Sequence, residues 1–112
     1  MKIYHNPRCT KSRQTLALIE EKGLEPEIIE YLKDTPSQAE IGRLLKALDI
    51  KAEDLIRKNE PVYKEKFKGK QLTQKEWIKA MVTYPKLIER PIVVKGRKAV
   101  IGRPPENVLA LL

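Results

Sequence analysis

The alternation of apolar and polar positions cuts the chain into short, clearly punctuated elements. Ile3-Tyr4 is a brief apolar segment that ends at Asn6-Pro7, a turn signal, and it reads as a strand. From Thr10 to Lys22 the residues favour helix. Leu16, Leu18 and Ile19 supply its apolar side, and Gly23 sits where a helix C′ glycine belongs. Glu27-Ile28-Ile29-Glu30-Tyr31 is the next strand candidate. Strand, helix and strand within about thirty residues make a βαβ unit, which predicts that the two strands run parallel.

The middle of the chain is helical. Ser37-Gln38-Ala39-Glu40 is a capping box ahead of Ile41, Leu44, Leu45 and Leu48, which recur at i, i+3, i+4 and i+7. A short helix is expected from Ala52 to about Lys58, and the lysine-rich stretch 59–71 reads as a loop. Thr73-Gln74-Lys75-Glu76 is a second capping box, with Leu72 and Trp77 at the staple positions. Trp77, Ile78, Met81 and Val82 form the buried side of that helix, which stops near Tyr84-Pro85. Ile92-Val93-Val94 and Ala99-Val100-Ile101 are strand-like, and Gly96-Arg97 between them predicts a two-residue type II′ hairpin. Pro104-Pro105-Glu106 then opens a final helix buried through Val108, Leu109, Leu111 and Leu112.

The resulting order is βαβ, two or three helices, then ββα. It predicts an α/β, thioredoxin-like fold with a mixed four-stranded sheet. Residues 1–112 are expected to form one such domain, with a helical insertion at about 36–84.

Composition narrows the chemistry. The chain has 112 residues, 34% charged and 41% hydrophobic, enough apolar material for one small core. Its single cysteine, Cys9, excludes an intramolecular disulfide and a multi-cysteine zinc site, and its single histidine, His5, excludes a polyhistidine metal site. No metal or tightly bound cofactor is indicated by the sequence. The net charge of +8 points to an anionic partner, whether nucleic acid, lipid, protein or a small oxyanion. The lysines are spread out and no RNA-binding or helix-turn-helix signature accompanies them, so nucleic acid is not expected. The N-terminus lacks the apolar run of a signal peptide, and no stretch approaches the ~18 apolar residues of a membrane span. With an unpaired cysteine, these features lead to the expectation of a cytoplasmic chain without a membrane partner; a monomer is entertained, but the sequence leaves the oligomeric state open.

Cys9 falls at the junction of the first strand and the first helix. Backbone N–H groups at a helix start carry partial positive charge, which stabilises a thiolate and can hold an oxyanion. Lys2, Arg8, Lys11 and Arg13 add cations, and no acid occurs before Glu20. A lone cysteine is commonly a small core residue, but this setting predicts a lowered pKa and a reactive thiolate. Cys9-Thr10-Lys11-Ser12 is C-x-x-S, so a catalytic cycle has to borrow its second thiol from outside.

Tyr4-His5-Asn6-Pro7-Arg8-Cys9-Thr10-Lys11-Ser12-Arg13 closely resembles the active-site segment of the glutaredoxin-coupled arsenate reductases. Leu87-Ile88-Glu89-Arg90-Pro91-Ile92-Val93-Val94 resembles their second signature, and Ile101-Gly102-Arg103-Pro104-Pro105-Glu106 their third. Leu55-Ile56-Arg57-Lys58-Asn59-Glu60-Pro61 is similar to the segment that carries their first arginine. The resemblance implies that Cys9 attacks arsenate, that glutathione as co-substrate and glutaredoxin supply the reducing thiols, and that arsenite is released. It implies that Arg57, Arg90 and Arg103 surround the oxyanion, that His5 helps lower the thiol pKa, and that Ser12 and Arg13 lie near the anion loop. It places Pro91 where thioredoxin-like proteins carry a cis-proline.

Each residue also has a plainer use. His5 can pack at the strand end, Ser12 can satisfy backbone groups of the first helical turn, Pro91 can be an ordinary trans proline, and an arginine is usually a solvated surface residue. Trp77, Met81 and Leu44 are core. Two other functions fit the same fold: a thiol reductase with a different substrate, and an RNA polymerase-binding redox regulator. Such regulators typically carry C-x-x-C, and Ser12 stands at that second position here.

Overall fold

The computed structural model describes residues 1–112. By its internal contacts the chain divides into two compact units, residues 1–34 with 90–112, and residues 35–89.

The first unit is built on a four-stranded sheet in the order β2-β1-β3-β4, with β1 at Lys2–Tyr4, β2 at Glu27–Ile29, β3 at Ile92–Lys95 and β4 at Lys98–Ile101. β1 pairs parallel with β2, with Ile3 opposite Ile28, and antiparallel with β3, with Ile3 opposite Val93. β3 and β4 form the expected hairpin, Val93 opposite Val100. Only Gly96 of the turn pair has positive φ, at 63°, as a type II′ turn requires. The sheet is thus mixed and the fold thioredoxin-like, as the element order predicts. Helix α1, Thr10–Glu21, crosses between β1 and β2 and ends at Gly23, whose φ of 76° provides the left-handed exit. A 3-10 segment, Pro105–Leu111, closes the chain against α1. Ile3, Ile19, Val93, Val108 and Leu111 make one buried cluster, so sheet, helix and closing segment share a core.

The second unit is helical. Helix α2, Gln38–Leu48, starts at Ser37, whose hydroxyl accepts from the Glu40 N–H at 3.1 Å. The further helices are α3, Pro61–Lys66, and α4, Gln74–Thr83. The Thr73–Glu76 capping box is complete at the start of α4, with bonds of 3.2 and 2.9 Å. Ile41, Leu44 and Leu45 of α2 and Trp77, Ala80 and Met81 of α4 are buried. None of these helices is long and apolar enough to cross a membrane.

Several elements differ from the sequence pattern, and the final helix expected from Pro104 is a 3-10 segment, Pro105–Leu111. The helix expected over Ala52 to about Lys58 is a 3-10 turn, Ala52–Leu55, because Ile56 turns extended to pair with Ile88. The expected loop at 59–71 contains α3, started by Pro61 in its first turn. Its lysines conceal an aromatic cluster: Tyr63 and Phe67 lie 6.4 and 5.9 Å from the Trp77 ring. The strand expected to reach Tyr31 ends at Ile29, because the Glu30 carbonyl turns to accept from the N–H groups of Lys33 and Asp34.

One close approach in the first unit fixes the end of β4 against α1. Gly102 donates its N–H to the Pro91 carbonyl at 2.9 Å. A Cβ there would press into the Thr15 hydroxyl and stand 2.9 Å from Pro91 Cγ. Thr15 is itself fully buried and donates to the Lys11 carbonyl at 2.8 Å. Gly102→Ala is therefore expected to lower unfolding free energy by about 1–3 kcal/mol through overpacking. Urea denaturation checks this, and an unchanged midpoint would show that the junction can open.

Candidate active site

The segment between β1 and α1 is folded by its own polar groups. Asn6 is buried; its side-chain oxygen accepts from the Arg8 N–H and its carbonyl from the Cys9 N–H, both at 3.0 Å. These bonds bend the chain so that Cys9 becomes the residue that precedes α1, in an extended conformation. Arg13 ties the loop from its solvent side, donating to the Pro7 carbonyl at 2.9 Å and to the Thr10 hydroxyl at 3.2 Å.

Ser12 sits beneath this turn and is fully buried. Its hydroxyl accepts from the Asn6 N–H at 3.1 Å and meets His5 Nδ1 at 2.6 Å. His5 is buried too. Burial lowers its pKa, the Glu30 charge opposes that and the Arg13 charge reinforces it, so the ring is neutral at neutral pH. His5 thus contacts the serine three residues past the cysteine and contributes no full positive charge to the thiol.

The cations beside Cys9 come from the other end of the sequence. Arg90 precedes β3 and Arg103 follows β4, and the peptide bonds that join each of them to the next residue, Pro91 and Pro104, are both cis. Arg103 Nη2 donates to Cys9 Sγ at 3.3 Å, and its Nε donates to the Arg90 carbonyl at 2.7 Å. One guanidinium therefore spans the sulfur and the backbone of the other arginine.

These groups set the ionisation of Cys9. Burial alone pushes the half-buried thiol up. The Ser12 backbone N–H, an Arg90 hydrogen bond and the charges of Arg103 and Arg90 outweigh it, and the pKa lies below its ordinary value. The sulfur makes no regular capping bond to the helix, yet the Ser12 N–H is near enough to favour its charged form. The outcome is a free, partly exposed thiol biased toward its thiolate form, with two guanidinium groups beside it. Such an arrangement can attack an electrophilic centre whose oxygens the guanidinium forks bind in pairs.

Of the residues the sequence singles out, His5, Cys9, Ser12, Arg90 and Arg103 form one connected group in the first unit. Arg13 braces the loop. Arg57 belongs to the second unit, 17% exposed at the side chain, where Glu60 and Glu89 flank it. The sequence gives less signal for Asn6, Thr15 and Gly102, which shape the turn and fix the end of β4. Asn6-Pro7 marks a turn but not its bond pattern, and the Thr15–Gly102 approach spans 87 residues. No group of three or more His, Cys, Asp or Glu side chains is placed to hold a metal ion.

The direction of the Cys9 shift makes a pH prediction. The thiolate is the reactive form, so alkylation by iodoacetamide should reach half its maximal rate below the free-cysteine value of about 8.5. Arg103→Ala and Arg90→Ala should each move the midpoint upward. A wild-type midpoint at or above that of free cysteine would contradict the electrostatic assignment.

Known proteins resemble the chain along nearly its whole length. The uncharacterized protein YfgD of Escherichia coli K12 is 50% identical over 114 residues, covering 100% of this chain and 96% of its own. The arsenate reductase of Haemophilus influenzae is 46% identical over 112 residues, covering 98% and 97%. The structure of an arsenate reductase from Vibrio cholerae superposes with a TM-score of 0.95 at 48% identity, covering 99% of this chain and 96% of that one. The ArsC family pattern matches residues 4–111. With that match running nearly end to end, and with relatives of this identity over its whole length, the chain belongs to the ArsC family.

Proposed function

We propose that the protein is an arsenate reductase. The observation that carries this is the contact of Arg103 with Cys9, 3.3 Å from guanidinium nitrogen to sulfur, beside a second arginine. A cysteine used only for packing needs no such neighbours, whereas a nucleophile that meets an oxyanion needs both its own ionisation and cations for the incoming charge.

Arsenate carries one to two negative charges at neutral pH. Arg90 and Arg103 bind its oxygens, with Arg57 as the third guanidinium and Ser12 and Arg13 at the edge of the anion loop. The Cys9 thiolate attacks arsenic and forms a sulfur–arsenic bond, and an oxygen leaves as water after taking up protons. Arg103 then exchanges the charge of the thiolate for that of the adduct, so the positive site stays balanced through the step. His5 holds Ser12, whose N–H favours the thiolate at the start and at its return.

Cys9 has no second cysteine to turn to. The reducing thiols therefore come from outside, glutathione first and glutaredoxin second. Glutathione adds to arsenic through its sulfur and displaces a further oxygen as water. The glutaredoxin thiolate attacks that glutathione sulfur. A disulfide forms, and the electron pair of the broken sulfur–arsenic bond stays on arsenic, which passes from the pentavalent to the trivalent state. Water then cleaves the Cys9–arsenic bond, releasing arsenite and the free thiol. These thiols belong to a reducing compartment, consistent with a cytoplasmic enzyme.

The test is direct. With arsenate, glutathione, glutaredoxin and an NADPH-regenerating system, wild type should release arsenite and Cys9→Ser should not. Arg103→Ala should lose about 10²–10³ in turnover, as removal of one transition-state donor does elsewhere. Wild-type arsenite no higher than that of Cys9→Ser would reject the activity. Turnover of another oxidised thiol substrate in its place would assign a thiol reductase of the same fold.

A further inference from the structure

Arg57 is held quite differently from the arginines beside Cys9. Its Nη1 donates to Glu89 Oε1 at 3.0 Å, and its Nε lies 3.4 Å from Glu60 Oε1. All three side chains are largely buried, with exposures of 17, 27 and 16% for Arg57, Glu89 and Glu60. The backbone locks the partners in place. Arg57 N–H donates to the Leu87 carbonyl at 2.7 Å and Glu89 N–H to the Leu55 carbonyl at 2.9 Å, on either side of the Ile56–Ile88 bridge. Glu60 is anchored as well, its N–H donating to the Arg57 carbonyl at 3.3 Å as it leads into α3.

This is more than a surface ion pair. Two fixed carboxylates face one guanidinium, so Arg57 already has anionic partners at rest. The contact to Glu89 is a hydrogen bond, whereas Arg57 Nε makes none to Glu60. Glu89 is therefore the stronger partner, and it immediately precedes Arg90 in the chain.

We propose that Glu89, assisted by Glu60, is a positioning residue for Arg57: it keeps Arg57 bound to carboxylate at rest, and an anion gains Arg57 only by displacing it. The role of Arg57 as an anion ligand comes from the reductase reading above; its capture by two carboxylates does not. A small monoanion competes poorly with a carboxylate that the backbone already holds in hydrogen-bond range. A tetrahedral oxyanion of up to two charges competes better, because it offers two oxygens to the planar guanidinium fork. Displacing the carboxylate costs the same whichever anion enters, so the carboxylates lower affinity for each anion that takes up Arg57 and leave the tetrahedral dianion ahead of the monoanion.

Equilibrium binding tests this without turnover. Inorganic phosphate, arsenate and nitrate are titrated calorimetrically into wild type, Glu89→Gln, Arg57→Ala and the double variant. Glu89→Gln keeps the shape and removes the charge. It should tighten phosphate and arsenate by roughly 3- to 10-fold, tighten nitrate by no more than that, and have no effect once Arg57 is gone. Unchanged or weaker binding in Glu89→Gln, an equal gain in the Arg57→Ala background, or no anion binding by either protein would overturn the proposal. Should Glu89→Gln not fold, Glu60→Gln removes the weaker partner, and a smaller gain that also depends on Arg57 is expected; no gain would overturn it equally. A wild type that binds phosphate but makes no arsenite would reject the reductase activity and leave the Glu89 result to stand or fall by itself.

Discussion

A cysteine sulfur half out of water ionises more readily when donors and positive charge are brought to it, and here Ser12, Arg90 and Arg103 share that task. Arg103 Nη2 reaches the Cys9 sulfur at 3.3 Å while its Nε is anchored on the Arg90 carbonyl at 2.7 Å. The fork therefore does two things at once: it favours the charged sulfur and fixes the backbone that carries the second arginine. Both arginines flank the β3–β4 hairpin, and the hairpin is fixed to β1 and the cysteine's helix through one core. Gly102 completes the arrangement, since a side chain there would push the end of β4 off Thr15 and Pro91 and take Arg103 with it.

The same residue type serves two opposite purposes in this chain. Arg90 and Arg103 act on sulfur, and their charges lower the Cys9 pKa. Arg57 faces the carboxylates of Glu60 and Glu89. A net charge of +8 conceals this division. What matters for an incoming oxyanion is which cations already have a partner and how firmly that partner is held, not how many cations there are. His5 carries a related lesson. Its burial keeps it neutral, so its contribution passes through a 2.6 Å contact with Ser12 rather than through charge.

Much of the fold is legible in the sequence because local signals and tertiary structure agree. The box at Thr73–Glu76, the Ser37 cap and Gly96 at the hairpin turn each write their own geometry. Helix α3 is not legible, because Lys64, Lys66, Lys68 and Lys70 obscure an apolar pattern whose partner ring, Trp77, lies in another helix. Strand β2 is shorter than its apolar run because the Glu30 carbonyl turns away into a tight bend. In the site, Cys9 is legible from its place at a strand–helix junction, and the arginines from motif resemblance. The polar turn of Asn6 and the close approach of Gly102 to Thr15 are not, since each depends on a particular three-dimensional contact. Nor does the sequence reveal that Glu60 and Glu89 converge on Arg57 from positions 3 and 32 residues away.

A sulfur–arsenic bond to Cys9 is the step on which the proposed reaction turns, and X-ray absorption at the arsenic edge would observe it directly. Wild type and Cys9→Ser are each mixed with arsenate and glutathione, without glutaredoxin, and frozen within one turnover. A sulfur neighbour on arsenic in wild type, against an all-oxygen shell in Cys9→Ser, is the predicted result. Identical spectra from the two proteins would contradict a covalent role for Cys9.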